Sequence, residues 1–120
     1  MFVDTFYTPE ELKSLGLKDY GTNVKISRKC SIYNPDKVVL GDNVRIDDFC
    51  LLSGEIALGS YIHIGAYSAL YGQYGIEMGD FSGLSARVTI YTASDDYGGE
   101  CLTNPMVPDK YRKNNCGRVV

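Results

Sequence analysis

Aliphatic residues recur along the middle of the chain at intervals of six. From Leu40 the chain reads Leu-Gly-Asp-Asn-Val-Arg, then Ile46-Asp-Asp-Phe-Cys-Leu, then Leu52-Ser-Gly-Glu-Ile-Ala, and three further hexads open at Leu58, Ile64 and Leu70. An aliphatic residue opens each hexad, and a small or acidic one usually follows it. After a two-residue slip the pattern resumes at Met78, Leu84 and Ile90; upstream it fits Tyr20, Ile26 and Ile32, with a second slip at Val38-Val39. Neither the helical period of 3.6 nor the strand period of 2 generates this spacing, whereas a short strand closed by a sharp turn does. Three hexads, about 18 residues, then close one triangular coil, and coils stack about 4.8 Å apart. The openers are predicted to form three columns: 20, 40, 58 and 78; 26, 46, 64 and 84; and 32, 52, 70 and 90.

Openers and fifth-place residues are predicted to point inward, so the core is a narrow column running from Val24 and Ile26 to Val88 and Ile90, with Cys30, Cys50, Ser68 and Ser82 among its fifth places. The second-place residues Gly21, Gly41, Gly59, Gly65 and Gly79 suit corners where a β-carbon is awkward, and Asp47 reads as a substitute that tolerates unusual dihedrals. Cys30 and Cys50 fall on one column in adjacent coils and read as small apolar residues in a stack. Fourth places stack as Asn43, Tyr61 and Phe81 on one edge and as Phe49, Tyr67 and Arg87 on another, ladders suited to subunit contacts.

The ends of the repeat differ from its middle. Thr8-Pro9-Glu10-Glu11 is a capping box with proline at the first helical position, and Leu12 and Leu15 give one apolar edge before Gly16. A short helix within 1–19 is therefore expected to cap the coils of 20–92. Residues 93–117 are polar and carry Gly98-Gly99, Asn104-Pro105 and Val107-Pro108, which predicts a long extended loop. Arg118-Val119-Val120 matches the approach Lys37-Val38-Val39 to Leu40 and reads as the start of a further coil whose opener is not reached.

Composition narrows the class. The 120 residues suit one domain, and 44% hydrophobic with 22% charged residues argues for a folded chain. The 13 glycines and 10 tyrosines, with no tryptophan, suit a turn-rich β architecture. A net charge of -3, with Lys and Arg scattered except for Lys110, Arg112 and Lys113, argues against nucleic acid as a partner. The four cysteines are too widely spaced for a zinc knuckle and read as thiols. No apolar run approaches the length of a membrane span and the first residues lack a signal-peptide pattern, so a cytoplasmic chain without membrane insertion is expected.

The hexads at Leu40 to Phe49 and Leu58 to Tyr67 resemble the hexapeptide-repeat acyltransferases, whose fold is a left-handed parallel β-helix. The stretch Tyr91-Thr-Ala-Ser-Asp-Asp-Tyr-Gly-Gly-Glu, followed by Leu102-Thr-Asn-Pro-Met-Val-Pro, is similar to the branch of galactoside, maltose and nucleotide-sugar acetyltransferases. The same coil also builds γ-class carbonic anhydrases and purely structural segments. The resemblance implies transfer of an acetyl or other acyl group from an acyl-CoA, acetyl-CoA in the first instance, to a sugar or nucleotide-sugar acceptor in surface-polysaccharide metabolism, by a homotrimer without a catalytic metal. It places the active site between subunits, beside the loop at 93–117.

Sugar O-acetyltransferases of this family carry a histidine base on or next to that loop, where this chain has Ser94-Asp95-Asp96-Tyr97. Its one histidine is His63, which alternation turns outward: a surface residue, or a base borrowed across the trimer cleft. One imidazole per chain does not supply a zinc site of three. His63 and Asp95 are the catalytic candidates; Tyr71, Tyr74, Ser94, Asp96 and Tyr97 are the substrate-binding candidates; no residue is assigned to the CoA. An amine needs less help from a base than a hydroxyl, so the missing loop histidine shifts the expectation towards N-acylation of an amino sugar. The competing expectation is a catalytically incomplete scaffold, because the family's CoA arm lies along coils that follow the extended loop.

Overall fold

The computed structural model describes residues 4–95 and 114–116, with 93–95 and 114–116 described by their backbone. Helix α1 spans Pro9–Ser14. The Thr8 side chain accepts the Glu11 N–H at 3.2 Å, and Glu11 Oε1 accepts the Thr8 N–H at 2.9 Å, so the capping box forms as its sequence predicts. Leu12 is buried and Leu15 packs against the edge of the core. Gly16 follows at a φ of 86°, a value open to glycine at no steric cost. The arm before the helix lies against the first coil: Phe6 bridges Ser27 in antiparallel fashion, Tyr7 N–H donates to the Ile26 carbonyl, and Arg28 pairs with Glu11. Arm and helix thus cover backbone and apolar rungs that a bare coil end would expose.

The coils follow. β1 (Asp19–Tyr20), β4 (Val38–Leu40) and the later parts of β6 (Leu51–Leu58) and β8 (Ala69–Met78) form the first face. β2 (Val24–Ile26), β5 (Val44–Ile46), β7 (Ile62–Ile64) and β9 (Gly83–Leu84) form the second. The third holds β3 (Ser31–Ile32), the early parts of β6 and β8, and β10 (Thr89–Tyr91). Every pairing within the coils is parallel. The registers stack Tyr20, Leu40, Leu58 and Met78; Ile26, Ile46, Ile64 and Leu84; and Ile32, Leu52, Leu70 and Ile90, the three columns read from the hexads. The chain is a parallel β-helix of about four turns.

Both slips lie at the third corner. Gly54 pairs with Gly72 but Ile56 pairs with Ile76, so β8 carries two more residues round the corner than β6. In the first coil a 3₁₀ turn at Pro35–Lys37 precedes Val38, which again faces Ile56. The slips therefore preserve an inward column in which Val38 and Ile76, outside the opener and fifth-place pattern, stack with the fifth-place Ile56, all three buried. Ser82, read as inward, is exposed, and Leu84, Val88 and Ile90 are half-buried because they lie in the last described coil.

The corners correct the reading of the glycines. Positive φ falls at the fourth place, in Asn23, Asn43, Phe49, Tyr61, Tyr67, Phe81 and Arg87, and at none of the second-place residues. Glycine is needed at the second place because coils approach there: a Cβ on Gly41 would lie 2.7 Å from the Gly59 carbonyl group, and one on Gly65 2.6 Å from the Ala86 nitrogen. Asp47 stands in this series without an unusual dihedral, held instead by side-chain hydrogen bonds.

Beyond β10 the chain leaves the coil. β11 (Ala93–Asp95) pairs antiparallel with β12 (Asn114–Cys116), in the register Ala93 to Cys116 and Asp95 to Asn114. The loop expected over 93–117 is therefore closed at its base by a two-stranded ribbon. No helix among the described residues is long and apolar enough to cross a membrane.

Candidate functional site

The ribbon springs from the end of the third face, where outward side chains alternate with inward ones along each strand. The Tyr71 and Tyr91 rings, opposite each other in β8 and β10, stack with centroids 4.8 Å apart and planes 4° apart. Thr92 is buried beside them. Its hydroxyl accepts the Tyr74 N–H at 3.0 Å and donates to the Tyr71 carbonyl at 3.1 Å. One threonine thus ties the inserted corner at Gln73–Gly75 to the strand that becomes β11, fixing the path on which Ser94 and Asp95 leave the coil.

The structure brings together Tyr71, Tyr74 and the start of the ribbon. Ser94 and Asp95 lie in β11, opposite Asn115 and Asn114; Asp96 and Tyr97 lie outside the described residues. Tyr91, stacked on Tyr71, and Thr92, bonded to the Tyr71 and Tyr74 backbone, belong to this cluster and are not singled out by the sequence alone. The signal for Thr92 is its place directly before the hexads cease, where a buried hydroxyl has backbone groups of a departing chain to satisfy.

His63 is elsewhere. It points outward from β7 on the second face, between buried Ile62 and Ile64, with its side chain 55% exposed. It is not brought to Asp95 within one chain, because β11 continues from the third face. Its Nε2 donates to Asp47 Oδ2 at 2.7 Å, while Arg45 Nε donates to Asp47 Oδ1 at 2.7 Å. Burial raises the Asp47 carboxyl, but the hydrogen bonds from His63 and Arg45 outweigh it and hold the group below the usual carboxylate range. An imidazole held this way through Nε2–H keeps Nδ1 as an acceptor for a proton.

Two ladders border this face. At one corner Asn23 donates to Asn43 at 2.7 Å, and Tyr61 stacks on Phe81 at 4.8 Å. At the other Phe49 stacks on Tyr67 at 5.1 Å, with Lys29 over Phe49 and Arg87 over Tyr67. Phe49, Tyr61, Tyr67 and Phe81 are all at least half exposed. Among the described residues no three His, Cys, Asp or Glu side chains gather as metal ligands.

Comparison with known proteins gives this arrangement its context. The dTDP-4-amino-4,6-dideoxy-D-glucose acyltransferase of Escherichia coli is 43% identical over 112 residues, which cover 91% of this chain and 58% of that protein. AntD, an N-acyltransferase from Bacillus cereus, matches with a TM-score of 0.93. In a complex with dTDP and 3-hydroxybutyryl-CoA it is 50% identical over 97% of this chain and 62% of its own. A serine variant of AntD holding dTDP-4-amino-4,6-dideoxyglucose and coenzyme A is 49% identical over 98% of this chain and 63% of its own. No protein-family model matches. The matched relatives are acyltransferases, the class that the hexads resemble, and this chain spans about three fifths of their length.

Proposed function

We propose that this chain carries acyl transfer from an acyl-CoA to the amino group of a nucleotide-linked amino sugar. The observation that supports the reading best is the 49% identity, at a TM-score of 0.93 over 98% of this chain, to an N-acyltransferase crystallised with a dTDP-linked amino sugar and coenzyme A. A neutral amine attacks the thioester carbonyl, the CoA thiolate leaves, and the proton released from nitrogen passes to a base.

Asp95, carried on the ribbon, is proposed to hold the amine. Solved variants of AntD change a serine and an aspartate ten positions apart, and Ser85 and Asp95 stand at that spacing here. Tyr71 and Tyr74 are proposed to line the sugar cleft, and Ser94, Asp96 and Tyr97 to bind the sugar on the loop. His63, oriented by Asp47, is the proposed base, contributed across the cleft of a homotrimer whose contacts are the aromatic ladders. The enzyme is placed in the cytoplasm with its CoA thioester.

Isothermal calorimetry with coenzyme A, beside thiol release with acyl-CoA and dTDP-linked amino sugars or plain galactosides, tests the reading. Micromolar CoA binding and turnover of amino sugars alone are expected. Turnover of plain hydroxyl acceptors overturns N-acylation, and absence of CoA binding at millimolar concentration favours the scaffold reading.

A further inference from the structure

Cys30 and Cys50 occupy corresponding positions of adjacent coils: the next residues, Ser31 and Leu51, are register partners, and Ser31 N–H donates to the Cys50 carbonyl at 2.9 Å. Parallel strands place such a pair about 4.8 Å apart at Cα, inside the range that a disulfide spans. The two thiols point the same way along the coil axis. Cys30 Sγ donates to the Asp47 carbonyl, in the coil that carries Cys50, at 2.9 Å; Cys50 Sγ donates to the Gly65 carbonyl at 3.2 Å. Cys50 is buried, but Cys30 is half-buried and borders a cavity of about 170 Å³ between the N-terminal cap and the first coil, lined also by Tyr7, Leu15, Ile32 and Pro35.

We infer that Cys30 and Cys50 are a redox modification site, in which Cys30 meets a small disulfide oxidant through this cavity and Cys50 resolves the adduct into a disulfide that staples the first coil to the second. With oxidised glutathione the Cys30 sulfur attacks one sulfur of the oxidant, forms a mixed disulfide and expels one glutathione thiolate. Cys50 then rotates away from the Gly65 carbonyl, attacks the Cys30 sulfur and expels the second. The two thiol protons end on the two glutathiones, which take up the two electrons that the cysteines lose. Access sets the order of the steps, because Cys30 borders the cavity and Cys50 is buried. The neighbouring Cys50 and burial raise the Cys30 thiol, so its attack on the oxidant is the slow step, and the lowered Cys50 thiol suits the resolving attack. The cost is small, because each step gives up one weak S–H hydrogen bond. The site is independent of the acyl-transfer reading.

The test uses the chain with Cys101→Ser and Cys116→Ser, reduced and then exposed to oxidised glutathione. The expected result is loss of the mass of two hydrogens, no remaining free thiol, a proteolytic peptide pair linked between residues 30 and 50, and a Tm raised by about 5–10 °C. Cys50→Ser is expected to keep one glutathione on Cys30, and Cys30→Ser to stay unmodified. Two thiols that remain free, or an adduct that persists on Cys30 while Cys50 is intact, overturn the inference. Should the serine variants not fold, peptide mapping of the unsubstituted chain decides equally: a 30–50 link supports the inference, and its absence under the same oxidation overturns it.

Discussion

His63 Nε2 and Asp47 Oδ2 lie 2.7 Å apart, and the same carboxylate takes Arg45 on its other oxygen. The pair joins two coils, because His63 and Arg45 are register partners in β7 and β5. A base needs such an orienting partner, since the carboxylate fixes which ring nitrogen carries the proton. If His63 accepts the proton released in acyl transfer, His63→Gln is expected to lower kcat about 100-fold with little change in KM, and Asp47→Asn by a smaller factor. Steady-state kinetics check this; unchanged kcat in both variants would assign the pair to bracing the face alone.

Acid is expected to loosen the cap first. The bond from the Arg28 side chain, with that from the Thr8 backbone, holds the Glu11 carboxyl at about 2, below its ordinary 4.5. A carboxyl depressed in the folded state contributes stability that is present above its unfolded value and lost as pH falls from 4.5 towards 2. Moving from about pH 6 to about pH 3 should therefore lower the Tm of the unsubstituted chain more than that of Glu11→Gln, which has no carboxyl to protonate. Equal slopes in a thermal melt series would contradict the assignment.

Glycine at the second place answers to the neighbouring coil. Gly41→Ala would set a methyl 2.7 Å from the backbone of Gly59, whereas among the described residues a Cβ on Gly79, in the last described coil, meets nothing within 4 Å. The expected loss for Gly41→Ala is about 1–3 kcal/mol, against a change within about 0.5 kcal/mol for Gly79→Ala. Chemical denaturation of the two variants measures the difference, and equal losses would show that conformational freedom matters more than space.

The Tyr61 and Phe81 rings stack at 4.8 Å on an exposed corner, with Phe81 78% exposed. Asparagine already holds the same backbone conformation at Asn23 and Asn43 in this column. The double variant Tyr61→Asn and Phe81→Asn should thus fold but give a lower mass in solution by light scattering, as a ladder that joins subunits requires. An unchanged mass would contradict the proposed role of this ladder as a subunit contact.

The columns of Ile26, Ile46 and Ile64 and their two companions are legible in the hexads because a side chain stacked between like neighbours has one chemical requirement. Val38 and Ile76, which stack with the fifth-place Ile56, are not, since the slips hide a column that only register reveals. The glycines are conspicuous but their cause is not: one sequence shows where a β-carbon is excluded, and not whether a dihedral or a neighbouring coil excludes it. At the site, Tyr71 and Tyr74 can be named from their place beside a slip. The role of Thr92 depends on backbone groups of two other segments, and the Asp47–His63 contact joins residues 16 apart that only coil stacking makes adjacent.

Acyl transfer to nitrogen is the central claim, and thiol release from an acyl-CoA in the presence of a dTDP-linked amino sugar tests it most directly. CoA thiol should appear in step with loss of the free amine, and Asp95→Asn should abolish both without lowering Tm. Release that is the same without the amino sugar, or that proceeds with plain galactosides, would contradict it.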